Sequence, residues 1–269
     1  MEKVSPELWA TAEQLAELLI RYVVPILEKD VRGYTCGHGT GILVSHSNLN
    51  FLVTAAHVLD PLKEGRKLFM HCASGTTRSL AGISLSTIPA TKGIRASDSV
   101  DIGVIRLEGP GQPPYPEIGK YSLPFEMLRA DVLPRQQKDY FVTGFPATKT
   151  KTNVSKRTTV SEPIGNISLS IYDSDYAQHD LVPRRHIAIE FDVKKVLSKS
   201  GRLERAPDPK GLSGSPIWLL PDIRAENSPK RPVVVGIAIE HHRTGKLLVG
   251  SDISIAIDMI NKLTNLQPD

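Results

Sequence analysis

Leu8, Ala12, Leu15, Leu18, Leu19 and Tyr22 recur at three- and four-residue intervals, the period of one helix face. Ser5 is a good N-cap, Pro6 suits the first helical position and Glu7 adds a negative charge to the first turn. Pro25 is incompatible with a helix interior, so a packing helix is predicted over 1–22. From residue 23 the spacing becomes extended. Apolar runs bounded by turn residues fall at 23–28, 39–45, 50–55, 67–72, 80–87 and 101–107, which predicts six strands in a first unit over 23–109. Gly39-Thr40-Gly41 opens the second run, which would form a hairpin with the third.

Pro110, Pro113, Pro114, Pro116, Pro124 and Pro134 then crowd together. Proline donates no backbone hydrogen bond and is kept out of central strands, so 110–136 reads as a connector, interrupted by a short helix near 125–130. Six more runs follow at 139–145, 158–172, 186–193, 216–220, 233–241 and 247–253, predicting a second unit over 137–253. The chain closes with a helix and tail over 254–269, in which Ile257, Ile260 and Leu263 share one face. The fold class predicted is all-β: two tandem six-stranded antiparallel β-barrels with N-terminal and C-terminal helices. No sequence repeat relates the halves.

Composition removes other classes. With 40% hydrophobic and 23% charged residues in 269, the chain can bury a core and is not disordered. No apolar run approaches the roughly 18 residues of a membrane span, and the opening residues lack the basic and apolar regions of a secretory leader. Cys36 and Cys72 are too few for a disulfide framework. A cytoplasmic, reducing setting is expected. The 33 basic and 29 acidic residues give +4, spread along the chain rather than concentrated as in a nucleic-acid binder. His38, His71, His241 and His242 with Cys36 and Cys72 form no metal-ligand spacing. Neither a metal nor another cofactor is expected. Lys149, Lys151, Lys156 and Arg157 make a basic loop, read as solvated or as a contact for an acidic partner or nucleic acid.

Three segments carry chemistry. In Gly211-Leu212-Ser213-Gly214-Ser215-Pro216, glycines on both sides leave the Ser213 hydroxyl room on a tight turn. Gly211 lets backbone N–H groups converge where an oxyanion would form. In Phe51-Leu52-Val53-Thr54-Ala55-Ala56-His57, an apolar strand delivers a histidine past two small residues. In Asp101-Ile102-Gly103-Val104-Ile105, an aspartate introduces a strand. Each alone has an ordinary structural reading. Together they meet a chemical need, since a serine nucleophile requires a base and the base requires a carboxylate to orient it. The order His57, Asp101, Ser213 is the triad order that goes with two β-barrels.

These motifs, with Gly144-Phe145-Pro146 and Val234-Val235-Gly236-Ile237, resemble the trypsin/chymotrypsin-like serine protease superfamily, especially its disulfide-free bacterial trypsin-like branch. The resemblance spans roughly 23–263. It implies a serine endopeptidase without cofactor acting on polypeptides, with His57 as base, Asp101 as its orienter and Ser213 as nucleophile. The amides of Gly211 and Ser213 would form the oxyanion hole. It also implies a substrate pocket near Pro207, Asp208, Ile239, Glu240 and His241. Pro207 stands six residues before the nucleophile, where members often set charge specificity, and Asp208 or Glu240 would favour a basic side chain. Ile239-Glu240-His241-His242 is bulkier than the family's usual small residues. That departure motivates the alternative of a latent or non-proteolytic fold acting as a regulated protein-binding module.

Overall fold

The computed structural model describes residues 14–71, 77–92, 94–107, 121–130, 138–153, 158–194, 196–197, 203–221 and 229–266. Residues 14–19 are helical and pass through a 3-10 turn, Ile20–Tyr22, into the first strand. The first half of the predicted N-terminal helix lies outside the described residues. Leu19 is buried, whereas Leu18, placed on the same face by periodicity, is exposed.

The first sheet runs β5-β4-β1-β2-β3-β7-β6. Its strands are β1 (Val23–Lys29), β2 (Thr35–His46), β3 (Leu49–Ala55), β4 (Leu68–His71), β5 (Thr77–Ser79), β6 (Ile83–Ser86) and β7 (Ile102–Arg106). A two-residue strand, β8 (Leu123–Pro124), adds parallel to β2. This sheet therefore holds eight strands where six runs were expected. One addition is β8, from the proline-rich connector. The other is β5, which falls outside the expected runs, just ahead of the run 80–87 that supplies β6. Thr77–Ser79 pairs with β4 and Ile83–Ser86 with β7, so one bent stretch joins both edges and curls the sheet closed. Pro25 sits inside β1 opposite Thr40, while β4 pairs only from Ile26 onward. Its missing N–H therefore costs no ladder bond. The β2–β3 hairpin turns on Ser47 and Asn48, both with positive φ (49° and 62°), the geometry of a tight two-residue hairpin turn.

The second sheet runs β12-β9-β16-β17-β18-β13: β9 (Asp139–Gly144), β12 (Ile164–Leu169), β13 (His186–Glu190), β16 (Pro216–Leu219), β17 (Val233–His242) and β18 (Leu247–Asp252). A bridge between Ser170 and Ile189 ties its two edges together. The run 158–172 breaks at Glu162–Pro163 into β11 (Thr158–Ser161) and β12, and β11 pairs with β10 (Thr150–Asn153) as a separate ribbon. A second ribbon joins β14 (Val196–Leu197) and β15 (Leu203–Glu204). Of the connector, residues 121–130 are described, and the predicted helix there is a 3-10 turn, Phe125–Met127.

Two apolar clusters cross from one half to the other. One joins Leu52, Val58 and Leu59 to Tyr176, Ala188 and Ile239. The other joins Phe51 and Val53 to Trp218, Ile237 and the terminal helix Ser254–Asn265. That helix buries Ala256, Ile260 and Leu263 and packs on β7. Arg106 of β7, only 3% exposed, donates to the Leu263 and Leu266 carbonyls at 2.9 and 2.8 Å. A buried cation thus meets the negative end of the helix. No described helix is long and apolar enough to cross a membrane.

Candidate active site

His57 stands in the first turn of the short helix Ala56–Lys63, directly after β3. Asp101 stands immediately before β7, which pairs with β3 so that Ala55 lies opposite Ile102. Adjacent strand ends thus bring the two side chains together. Asp101 Oδ2 lies 2.5 Å from His57 Nδ1, and Oδ1 accepts the His57 amide at 2.9 Å. The Asp101 carbonyl accepts the Ala56 amide at 2.8 Å. Because the carboxylate only accepts, the ring hydrogen sits on Nδ1, and Nε2 is left able to take a proton. Asp101 is 7% exposed and has φ of 49°, a left-handed backbone that aspartate tolerates better than most side chains.

Around Asp101 a polar network keeps that conformation. Asp98 Oδ1 accepts the Asp101 and Val100 amides at 3.0 and 3.1 Å. Its Oδ2 accepts Thr87 Oγ1 (2.5 Å) and the Arg95 guanidinium (2.8 Å). Burial pushes the Asp98 carboxyl up, but these donors outweigh it and hold it below the usual range. Arg95 also grips both oxygens of Asp60 at 2.8 and 2.6 Å, and Asp60 belongs to the histidine helix. Hydrogen bonding to Asp60 raises Arg95 above its ordinary value against the opposing effect of burial. One guanidinium therefore bridges the carboxylate that props Asp101 and the helix that carries His57.

The turn that carries Ser213 is held from both halves. From the first, the Thr40 amide donates to the Ser213 carbonyl (2.9 Å) and Thr40 Oγ1 to the Gly211 carbonyl (2.8 Å). That same hydroxyl accepts the Phe145 amide at 3.0 Å. From the second, the Gly214 amide donates to the Ala238 carbonyl and the Ala238 amide to the Ser215 carbonyl, at 2.7 and 2.8 Å. Gly211 and Gly214 have φ of 95° and 90°. A Cβ on Gly214 would lie 1.9 Å from the Thr40 carbonyl oxygen, so no other residue fits there. The amides of Gly211 and Ser213 have no acceptor among the described residues. Ser213 Oγ donates to the Ile239 carbonyl at 3.3 Å. Ile239 is the extra residue of a bulge between β17 and β18, which turns its carbonyl out of the ladder.

A profile of the trypsin-like peptidase domain matches residues 39–218, which covers most of both halves and all three motifs. The chain belongs to the trypsin-like peptidase family. Neuropsin, a serine protease expressed in the limbic system of mouse brain, superposes with a TM-score of 0.55 over 91% of this chain and 95% of its own, at 13% identity. At that identity the likeness is one of fold, the chymotrypsin-like pair of antiparallel barrels. No curated protein sequence matches the chain.

Within this trypsin-like frame the pocket residues separate. Asp208 and His241 line one cleft with Phe191, Pro209 and Arg243. Pro207 is half-buried outside that lining, and Ile239 is buried at the bulge. Glu240 is exposed and pairs with His242 at 2.7 Å. Cys36 is a free thiol, and Cys72 lies outside the described residues. Val58 packs on Gly39, where a Cβ would meet its methyl at 2.6 Å, so apolar contact joins β2 to the histidine helix. Among the described residues no group of three or more His, Cys, Asp or Glu is disposed to hold a metal. Thr40, Asp60, Arg95 and Asp98 were not legible as site residues, because each works through a partner that only the fold brings near.

Proposed function

We propose that the protein is a serine endopeptidase. Family membership implies a polypeptide substrate. Ser213 attacks the peptide carbonyl, His57 Nε2 takes its proton and returns it to the leaving amine, and water resolves the acyl-enzyme. Asp101 holds the imidazole in the required tautomer. The Gly211 and Ser213 amides receive the oxyanion, a role in which one donor is worth about 10²–10³ in turnover. The observation that carries this reading is the two-point contact of Asp101 with His57, at 2.5 and 2.9 Å, in a chain that also leaves those two amides without acceptors among the described residues. The free Cys36 thiol and a histidine helix joined by apolar packing support work in a reducing, cytoplasmic compartment.

The test is covalent. A fluorophosphonate probe should label the wild-type protein, and Ser213→Ala should abolish labelling. Labelling that survives the substitution removes Ser213 as nucleophile. A second reading, a latent fold that a regulatory partner opens, is favoured by one observation: Ser213 Oγ is bonded to the Ile239 carbonyl and not to His57. Wild-type protein inert to the probe, but labelled once a specific partner is added, would select it.

A further inference from the structure

A cleft of about 590 Å³ opens beside the nucleophile turn. Its wall runs through Asp208 and Pro209, and the Pro209 carbonyl accepts the Leu212 amide within the turn at 2.9 Å. His241 lines it two residues beyond Ile239, whose carbonyl holds Ser213 Oγ. A peptide seated on Ser213 therefore has this cleft next to it.

The charges around the cleft do not balance. Lys194, Arg205, Arg243 and Lys246 stand against Asp192 and Asp208. Both carboxylates are already answered, Asp192 by Lys246 at 3.0 Å and Asp208 by Arg243 at 3.9 Å. Lys194 and Arg205 have no carboxylate partner among the described residues. His241 Nε2 donates to the Phe191 carbonyl at 3.3 Å, while its Nδ1 is buried without a partner among the described residues. Uncompensated cations in a cleft concentrate anions, and an arginine fork matches a carboxylate with two parallel donors.

Resting on the peptidase reading above, we propose that this cleft binds an acidic side chain of the substrate, aspartate or glutamate, beside the bond that Ser213 cleaves. Asp208 and Glu240, which alone would favour a basic residue, are each met by a neighbouring side chain, Arg243 and His242.

The experiment compares peptides that differ only in Glu against Gln at each position next to the scissile bond. Glu at one position should raise kcat/KM about tenfold, the worth of two partly exposed ion pairs, and added salt should shrink that ratio. Lys194→Glu combined with Arg205→Glu should abolish or invert it. Because the ratio is taken within each variant, a change in overall activity does not disturb it. Binding of the same peptides to Ser213→Ala, followed by fluorescence anisotropy, reads the cleft without turnover. Selective binding of the Glu peptide, with a wild-type protein that the fluorophosphonate never labels, upholds the cleft and overturns the peptidase. Equal binding of Glu and Gln peptides, a preference for Lys or Arg, or tighter binding of a single-stranded oligonucleotide of equal charge overturns the proposal.

Discussion

Asp101 is the residue on which most of the site's geometry converges. Its carboxylate makes two contacts to His57 from a left-handed backbone at φ 49°. Asparagine tolerates that conformation, so Asp101→Asn should fold with unchanged circular dichroism. The amide can present an N–H to His57 Nδ1, however, and so favours the wrong imidazole tautomer. In a triad, the same exchange costs about 10⁴ in kcat, and a comparable loss in peptide hydrolysis is expected here. Turnover within a few-fold of wild type would show that Asp101 does not orient the base. The strand ends that carry His57 and Asp101 and the glycine turn that carries Ser213 were legible from local sequence, because their own neighbours specify them. Thr40 was not. Its hydroxyl bonds the carbonyl of a residue 171 positions away, and nothing near Thr40 in the chain marks it.

Among the elements, the histidine helix and the 87–101 segment are coupled by Arg95. This guanidinium holds Asp60 with two bonds and Asp98 with one, and Asp98 in turn fixes the Asp101 and Val100 amides. Arg95→Ala should let both sides drift. Since a displacement near 1 Å can cost about 10² in rate, kcat should fall roughly 10- to 100-fold with little change in KM. Arg95→Lys keeps the charge but loses the fork, so it should recover part of that loss. A variant with kcat unchanged and only its Tm lowered would reduce Arg95 to a structural brace. Strand positions were mostly predictable from apolar runs bounded by turn residues, but strand partners were not. The run 80–87 supplies only β6 on one sheet edge, while the residues just before it, outside any expected run, form β5 on the other. The run 158–172 divides at Pro163, which interrupts the ladder.

Taken whole, the two halves are latched by a buried histidine. His186 of the second half donates from Nε2 to the Ser99 carbonyl at 2.7 Å and accepts the Val182 amide on Nδ1 at 2.9 Å. Ser251 Oγ reinforces the contact by donating to the Val100 carbonyl at 2.5 Å. Both carbonyls lie just before Asp101. Burial is the main cause that lowers the His186 pKa from its ordinary 6.5, while the bond to Ser99 works the other way. A histidine depressed in the folded state stays neutral while the unfolded chain takes up a proton. Its contribution is therefore present above about pH 6.5 and fades as pH falls towards the folded value. Tm should decline between pH 7 and 5, and His186→Gln, which retains a donor for Ser99, should flatten the decline. An equal slope in both proteins would remove His186 as its source.

Motif chemistry, strand propensity and the all-β class were written in local sequence, since helix and strand periods, glycine turns and proline breaks act over a few residues. The eight-strand first sheet, the Arg95 bridge, the His186 latch and the excess of cations around the cleft were decided by the fold. Each depends on side chains distant in the chain meeting at hydrogen-bonding or Coulombic range, and no local period encodes such a meeting.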